Sequence, residues 1–94
     1  MRKLVWSNTF IRAFKRTTRK YPKLQKEIEQ ILRLLVEDPF SPQLRTHKLK
    51  GKLSGSWACN VGYDLRIIFD FIKSEKEGED EIFLIEIGTH DEVY

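Results

Sequence analysis

A chain of 94 residues, 40% hydrophobic and 33% charged, is expected to form one soluble domain over residues 1–94 that needs neither disulfides nor metal to fold. The single Cys59 excludes an internal disulfide, no apolar run approaches the ~20 residues of a membrane helix, and Met-Arg-Lys-Leu-Val-Trp lacks the apolar stretch of a signal peptide, so the cytoplasm is the expected compartment. The net charge of +3 conceals a polarised chain: residues 1–52 hold fourteen Lys and Arg against four Asp and Glu, residues 53–94 three against ten, so a basic face able to meet a polyanion or an acidic partner is expected.

Taken in order, Arg2–Trp6 is a short strand, and Ser7 or Asn8 offers a helix N-cap. Phe10, Ile11 and Phe14 mark the buried stripe of a first helix running to about Arg19, with Arg12, Lys15, Arg16 and Arg19 facing out. Tyr21-Pro22 ends it and begins the next. There, Leu24, Ile28, Ile31, Leu32 and Leu35 recur at three- and four-residue steps until Pro39 stops the helix.

Residues Ser41 to Gly55 read as a basic loop containing Arg45, His47, Lys48, Lys50 and Lys52. Ser56–Val61 is a strand with Trp57, Cys59 and Val61 on one face, which makes Cys59 a core residue rather than a nucleophile. A tight turn near Gly62-Tyr63 leads into the central strand, Leu65–Phe71. Ile67, Phe69 and Phe71 share one of its faces; Arg66, Ile68 and Asp70 share the other. After an acidic turn over Glu75–Glu81, Ile82–Ile87 forms a third strand of the meander, and Gly88-Thr-His-Asp-Glu-Val-Tyr94 closes the chain. The order β-α-α-β-β-β implies an α+β fold, an antiparallel sheet with a helical hairpin on one face and a cleft on the other.

Arg66 poses the question around which function turns. A guanidinium near the middle of a sheet needs an anion, either a carboxylate such as Asp64 or Asp70 or the phosphate of a ligand. The two histidines and one cysteine lie far apart in sequence and no glycine-rich phosphate loop opens a helix, so no metal site and no cofactor are expected. His47, Arg66, His90 and Tyr94, with Asp64 nearby, supply the groups that RNA self-cleavage requires: a base for the ribose 2′-OH, positive charge for the phosphate and an acid for the leaving 5′-oxygen. By residue type alone, a surface histidine and an ordinary chain terminus explain His47 and Tyr94 equally well.

The runs His47-Lys-Leu-Lys-Gly51, Val61-Gly-Tyr-Asp-Leu-Arg-Ile-Ile-Phe69 and Ile87-Gly-Thr-His-Asp-Glu-Val-Tyr94 resemble the RelE/ParE superfamily of bacterial toxins, in particular its YafQ-like branch, over nearly the whole chain. The resemblance implies a RelE-like fold and a ribosome-dependent mRNA endonuclease neutralised by a cognate acidic antitoxin. It places His47 at a catalytic histidine, Asp64 at an active-site aspartate, Arg66 at a phosphate-binding arginine, His90 at the histidine of Gly-Thr-His and Tyr94 at a C-terminal aromatic. The chain departs from the family where the strand before the central one carries an aspartate and a histidine: here stand Ala58 and Asn60. Lys48, Lys50 and Lys52, with Arg45, Arg12 and Arg16, are the expected grip on RNA. The alternatives are a ParE-like toxin that inhibits gyrase without cutting RNA, and a decayed toxin that only binds its antitoxin or RNA.

Overall fold

The computed structural model describes residues 2–62, 64–73 and 80–93. In chain order they form β1 (Lys3–Trp6), α1 (Asn8–Lys20), α2 (Gln25–Glu37), β2 (His47–Lys48), β3 (Trp57–Val61), β4 (Leu65–Ile72), β5 (Glu81–Thr89) and α3 (His90–Val93), with 3₁₀ turns at Pro22–Leu24, Pro42–Leu44 and Gly51–Leu53. The five strands make one sheet ordered β1-β5-β4-β3-β2, so β4 is the middle strand, as its two apolar faces require.

α1 starts where the sequence offers a cap: the Phe10 N–H donates to the Ser7 hydroxyl at 3.0 Å, satisfying a donor that the helix cannot. Arg19 and Lys20 in its last turn complement the partial negative charge of the helix C-terminus. Pro22 does not open α2 itself but a 3₁₀ turn, and α2 begins at Gln25. Phe10 and Ala13 of α1 and Ile28, Leu32 and Leu35 of α2 pack against Cys59, Ile67, Phe69, Ile82, Leu84 and Ile87, all at most 4% exposed. Both helices therefore cover one face of the sheet. Cys59 lies in this core, where burial pushes its thiol up to about 12 and keeps it from acting as a thiolate nucleophile.

Two expectations need correction. The sheet is mixed rather than antiparallel, because β1 runs parallel to β5 in the register Lys3↔Glu81 to Trp6↔Leu84. The helical hairpin carries the chain from β1, at one edge, to the start of the meander at the other edge. The meander then returns β5 to the flank of β1 in the same direction. The loop expected over residues 41–55 is also more ordered than its composition suggests. Leu44 and Leu49 are buried within it, and His47–Lys48 pairs with Trp57-Ala58 as a short edge strand.

β5 carries an irregularity that the alternation of apolar residues does not announce. Ile68 pairs with Glu86 but Phe69 pairs with Leu84, so Ile85 is an inserted residue in a β-bulge. The bulge reverses the alternation, letting Ile82, Leu84 and Ile87 all reach the helix-side core while Ile85 joins a second, smaller cluster on the other face. That cluster gathers Leu49, Leu53, Ala58, Ile68, Ile85 and Val93, and it fastens the basic loop and α3 to the face left open by the helices. The acidic turn expected over Glu75–Glu81 falls outside the described residues except for Asp80 and Glu81.

Candidate active site

The open face of β4 organises the site. Asn60 on β3, Arg66 on β4 and Gly88 on β5 are cross-strand partners and form one row; His47, Ala58, Ile68 and Glu86 form the neighbouring row. Directly paired residues project to the same face, and the small cluster containing Ala58 and Ile68 shows that this face is opposite the helices. By sheet spacing, His47 and Arg66 are two strands and one row apart, about 12 Å between Cα atoms, a gap that two long side chains can span around a nucleotide phosphate. Ala58 and Asn60 stand between them and bring no charge, whereas Glu86 in the neighbouring row brings a carboxylate to the same face.

Arg66 is half-buried, and its Nη1 donates to the Leu65 carbonyl at 3.0 Å. Among the described residues no carboxylate pairs with it, and neither acid expected to do so is in place. Asp70 is four residues along the same face of β4, about 13 Å away at strand rise, and its Oδ1 is buried without a hydrogen-bond partner. Asp64 is exposed in the turn between β3 and β4. The guanidinium has five N–H donors, so the bond to Leu65 leaves a fork available to an anion.

His47 is held by its own loop. Arg45 adopts a left-handed conformation (φ 49°), and its carbonyl accepts the His47 Nδ1–H at 2.9 Å. A carbonyl can only accept, so the proton sits on Nδ1 and the lone pair on Nε2, the tautomer that a general base needs. A left-handed arginine costs on the order of 1 kcal/mol. Asp64 does not stand beside His47 to assist it: His47 is level with Ala58, and Asp64 lies beyond Val61 at the other end of β3.

His90 arrives through a local motif. Glu92 N–H donates to the Thr89 hydroxyl at 3.3 Å while Thr89 N–H donates to Glu92 Oε1 at 2.9 Å, the reciprocal pair of a capping box. This box starts α3 at His90 and turns it back over the sheet, where Val93 joins the small cluster. Gly88 makes the turn possible: a Cβ there would lie 3.1 Å from Glu92 Cβ and Val93 Cγ1. Gly88 is also the cross-strand partner of Arg66, so α3 closes beside the arginine and His90 leads it, its side chain 66% exposed and its Nδ1 3.7 Å from Asp91 Oδ1. The two imidazoles thus belong to elements that flank Arg66 from opposite edges. Tyr94, the remaining expected member, lies outside the described residues.

The basic residues divide. Lys50 and Lys52 are exposed on the loop whose Leu49 and Leu53 cover the open face, and Arg45 is exposed next to His47. Lys48 pairs with Trp57 and so projects toward the helix side, not beside His47. Arg12 and Arg16 are exposed on α1, also on the helix side, where with Lys15, Arg19 and Lys20 they line a shallow basic groove.

The sequence model of a family described as "Bacterial toxin of type II toxin-antitoxin system, YafQ" matches residues 2–94. The chain belongs to the YafQ toxin family. The fold agrees: YafQ from Escherichia coli strain BL21(DE3) superposes with a TM-score of 0.77 at 19% identity, over 100% of this chain and 99% of that one. A metal-bound toxin from Helicobacter pylori superposes with a TM-score of 0.77 at 26% identity, over 100% of both chains. The Escherichia coli DinJ-YafQ complex gives 0.76 at 17%, over 100% of this chain and 99% of that one. No curated protein matches by sequence.

The run Gly88-Thr89-His90 thus has a physical reading: the glycine makes room, the threonine caps and the histidine leads. The capping box, Thr89-x-x-Glu92 in sequence, gives a pH prediction. The bonds from Thr89, chiefly its backbone N–H, hold the Glu92 carboxyl below its ordinary value, with Arg16 and Lys20 adding to the effect. A lowered pKa means that the ionised form favours the docked α3, so docking is complete at neutral pH and weakens as pH falls through the carboxylate range. Glu92→Gln should remove that dependence, and Thr89→Ala should lower the docked-to-undocked ratio about fivefold, equivalent to about 1 kcal/mol of cap. Both effects are readable from the NMR signals of Val93 methyls between neutral and acidic pH.

Proposed function

We propose that this protein is the toxin of a type II toxin–antitoxin pair and that it cleaves mRNA on the ribosome, using its own side chains as acid and base. The observation that supports the reading best is Arg66: a guanidinium in the middle of the sheet, on the open face, with no carboxylate paired to it among the described residues and with a histidine-bearing element on each side of it.

In this mechanism the Arg66 fork holds the two non-bridging oxygens of the scissile phosphate and stabilises the charge that builds on them. His47 Nε2 removes the proton from the ribose 2′-OH, and the 2′-oxygen attacks phosphorus. As the bond to the 5′-oxygen breaks, His90 delivers a proton to it, leaving a 2′,3′-cyclic phosphate and a 5′-hydroxyl. Base and acid on opposite sides of the phosphate are what in-line displacement demands. With Ala58 and Asn60 in place of titratable groups, the base role falls to His47. Tyr94 stacks or positions a base in this scheme, and Arg45, Lys50 and Lys52 on the same side meet the RNA backbone.

Similarity to the DinJ-YafQ complex supports a cognate antitoxin as partner, which is expected to be acidic and to fold on the basic surface. A ribosomal substrate places the protein in the cytoplasm; among the described residues no helix is long and apolar enough to cross a membrane. Expression without antitoxin should arrest growth, and purified protein should cut mRNA that is being translated while leaving gyrase supercoiling unaffected. Gyrase inhibition without mRNA cleavage would replace this reading with the ParE-like one.

A further inference from the structure

Around the end of the sheet from Arg66 lies a concavity of about 250 Å3, lined by Arg16, Lys20 and Tyr21 from the end of α1, Leu65 from β4, and Thr89 and Glu92 from the α3 cap. Arg16 and Lys20 also line the groove that carries Arg12, Lys15 and Arg19, so one basic path runs along α1 into this hollow. Tyr21 is 47% exposed, and the Lys20 ammonium sits 5.4 Å from its ring centroid. Leu65 and Thr89 immediately adjoin Arg66 and Gly88 in sequence but project to the other face, so the hollow and the candidate phosphate site meet around the same end of the sheet.

We propose that this concavity is a nucleotide subsite for single-stranded RNA: Tyr21 stacks the base of a nucleotide flanking the cleaved one, and Arg16 and Lys20 contact its phosphates. The proposal extends the nuclease reading to a second place on the chain and rests on it for the direction of the strand. An exposed aromatic ring set among cations is the combination by which proteins hold unpaired nucleotides, with charge for the backbone and a π-face for any base. An acidic peptide would use the cations and leave the ring idle. Glu92 brings one negative charge into the hollow against the two positive charges of Arg16 and Lys20, so the lining keeps a net positive charge, and its Oε1 is turned to the Thr89 N–H.

The test uses purified full-length protein and a short single-stranded RNA, 2′-O-methylated throughout so that it cannot be cut and carrying 2-aminopurine at successive positions. Stacking on Tyr21 should quench the fluorophore at one position. Tyr21→Phe should keep both quenching and affinity, whereas Tyr21→Leu, apolar but without an aromatic face, should lose the quenching and bind about five- to a hundredfold more weakly. The double variant Arg16→Gln, Lys20→Gln should reduce the slope of log affinity against log salt by about 1.4, the value for two single-strand phosphates. Parental quenching and affinity in Tyr21→Leu would overturn the subsite, as would an oligoglutamate peptide that displaces the RNA from the parent and from Tyr21→Leu with equal ease. Because no ribosome is present, the two readings fail separately. Tyr21-dependent quenching in a protein that cuts no translated mRNA would sink the nuclease reading alone; cleavage with Tyr21→Leu binding as the parent does would sink the subsite alone.

Discussion

Replacing Arg66 with alanine is expected to reduce cleavage of translated mRNA by about a hundred- to a thousandfold, the range for removing one positioned donor from a developing oxyanion. The side chain is half-buried, and its hydrogen bond goes to the carbonyl of the preceding residue, so little of the fold depends on it. Ile67, Ile68 and Phe69 are the fully buried residues of β4 and carry its packing. Denaturant unfolding of Arg66→Ala should therefore stay close to the parent. Arg66→Lys should restore only part of the rate, because an ammonium cannot present two parallel donors to a phosphate. A variant that unfolds and loses activity together would make Arg66 a structural residue, and full activity with an intact fold would remove it from the site.

His47→Ala should cost about a hundred- to ten-thousandfold in the same assay, the usual contribution of one general base. His47 is exposed on a two-residue edge strand, so the loss should come without a change in stability. His47→Gln can keep a bond to the Arg45 carbonyl through its side-chain amide and still has no group to take the 2′-OH proton; it should fail as badly as alanine. The pH–rate profile separates this role from simple positioning, since a general base predicts a rise in rate with pH for the parent and its loss in the variant. If the glutamine variant retained activity, the loop rather than the imidazole would be what matters.

Much of the fold was legible because the apolar residues are unambiguous. The stripe Leu24, Ile28, Ile31, Leu32, Leu35 gave α2, and the two apolar faces of Leu65–Phe71 gave the middle strand and the exposed side of Arg66. What stayed hidden depends on long-range pairing. Nothing in Lys3–Trp6 states that it will lie parallel to β5, and Ile85 differs in no chemical way from the residues it displaces. The site shows the same division. The groups were readable by type, and the resemblance located them. The two-residue pairing of His47-Lys48 with Trp57-Ala58 then puts His47 on the sheet face that carries Arg66 and Lys48 on the other. Asp64 stands two residues before Arg66 in sequence, and the hairpin carries it to the end of β3 far from His47. Thr89-x-x-Glu92 carried a recognisable helix start, a signal hidden by the shortness of α3.

The most direct measurement is an NMR titration of the isotope-labelled protein with a 2′-O-methylated RNA oligonucleotide, following the ring signals of His47 and His90 and the Nε–H of Arg66. Convergence of the three groups on one phosphate predicts that their signals move together, with a common midpoint. Movement of Arg66 with either histidine left still, or three separate midpoints, would show that they do not serve one site.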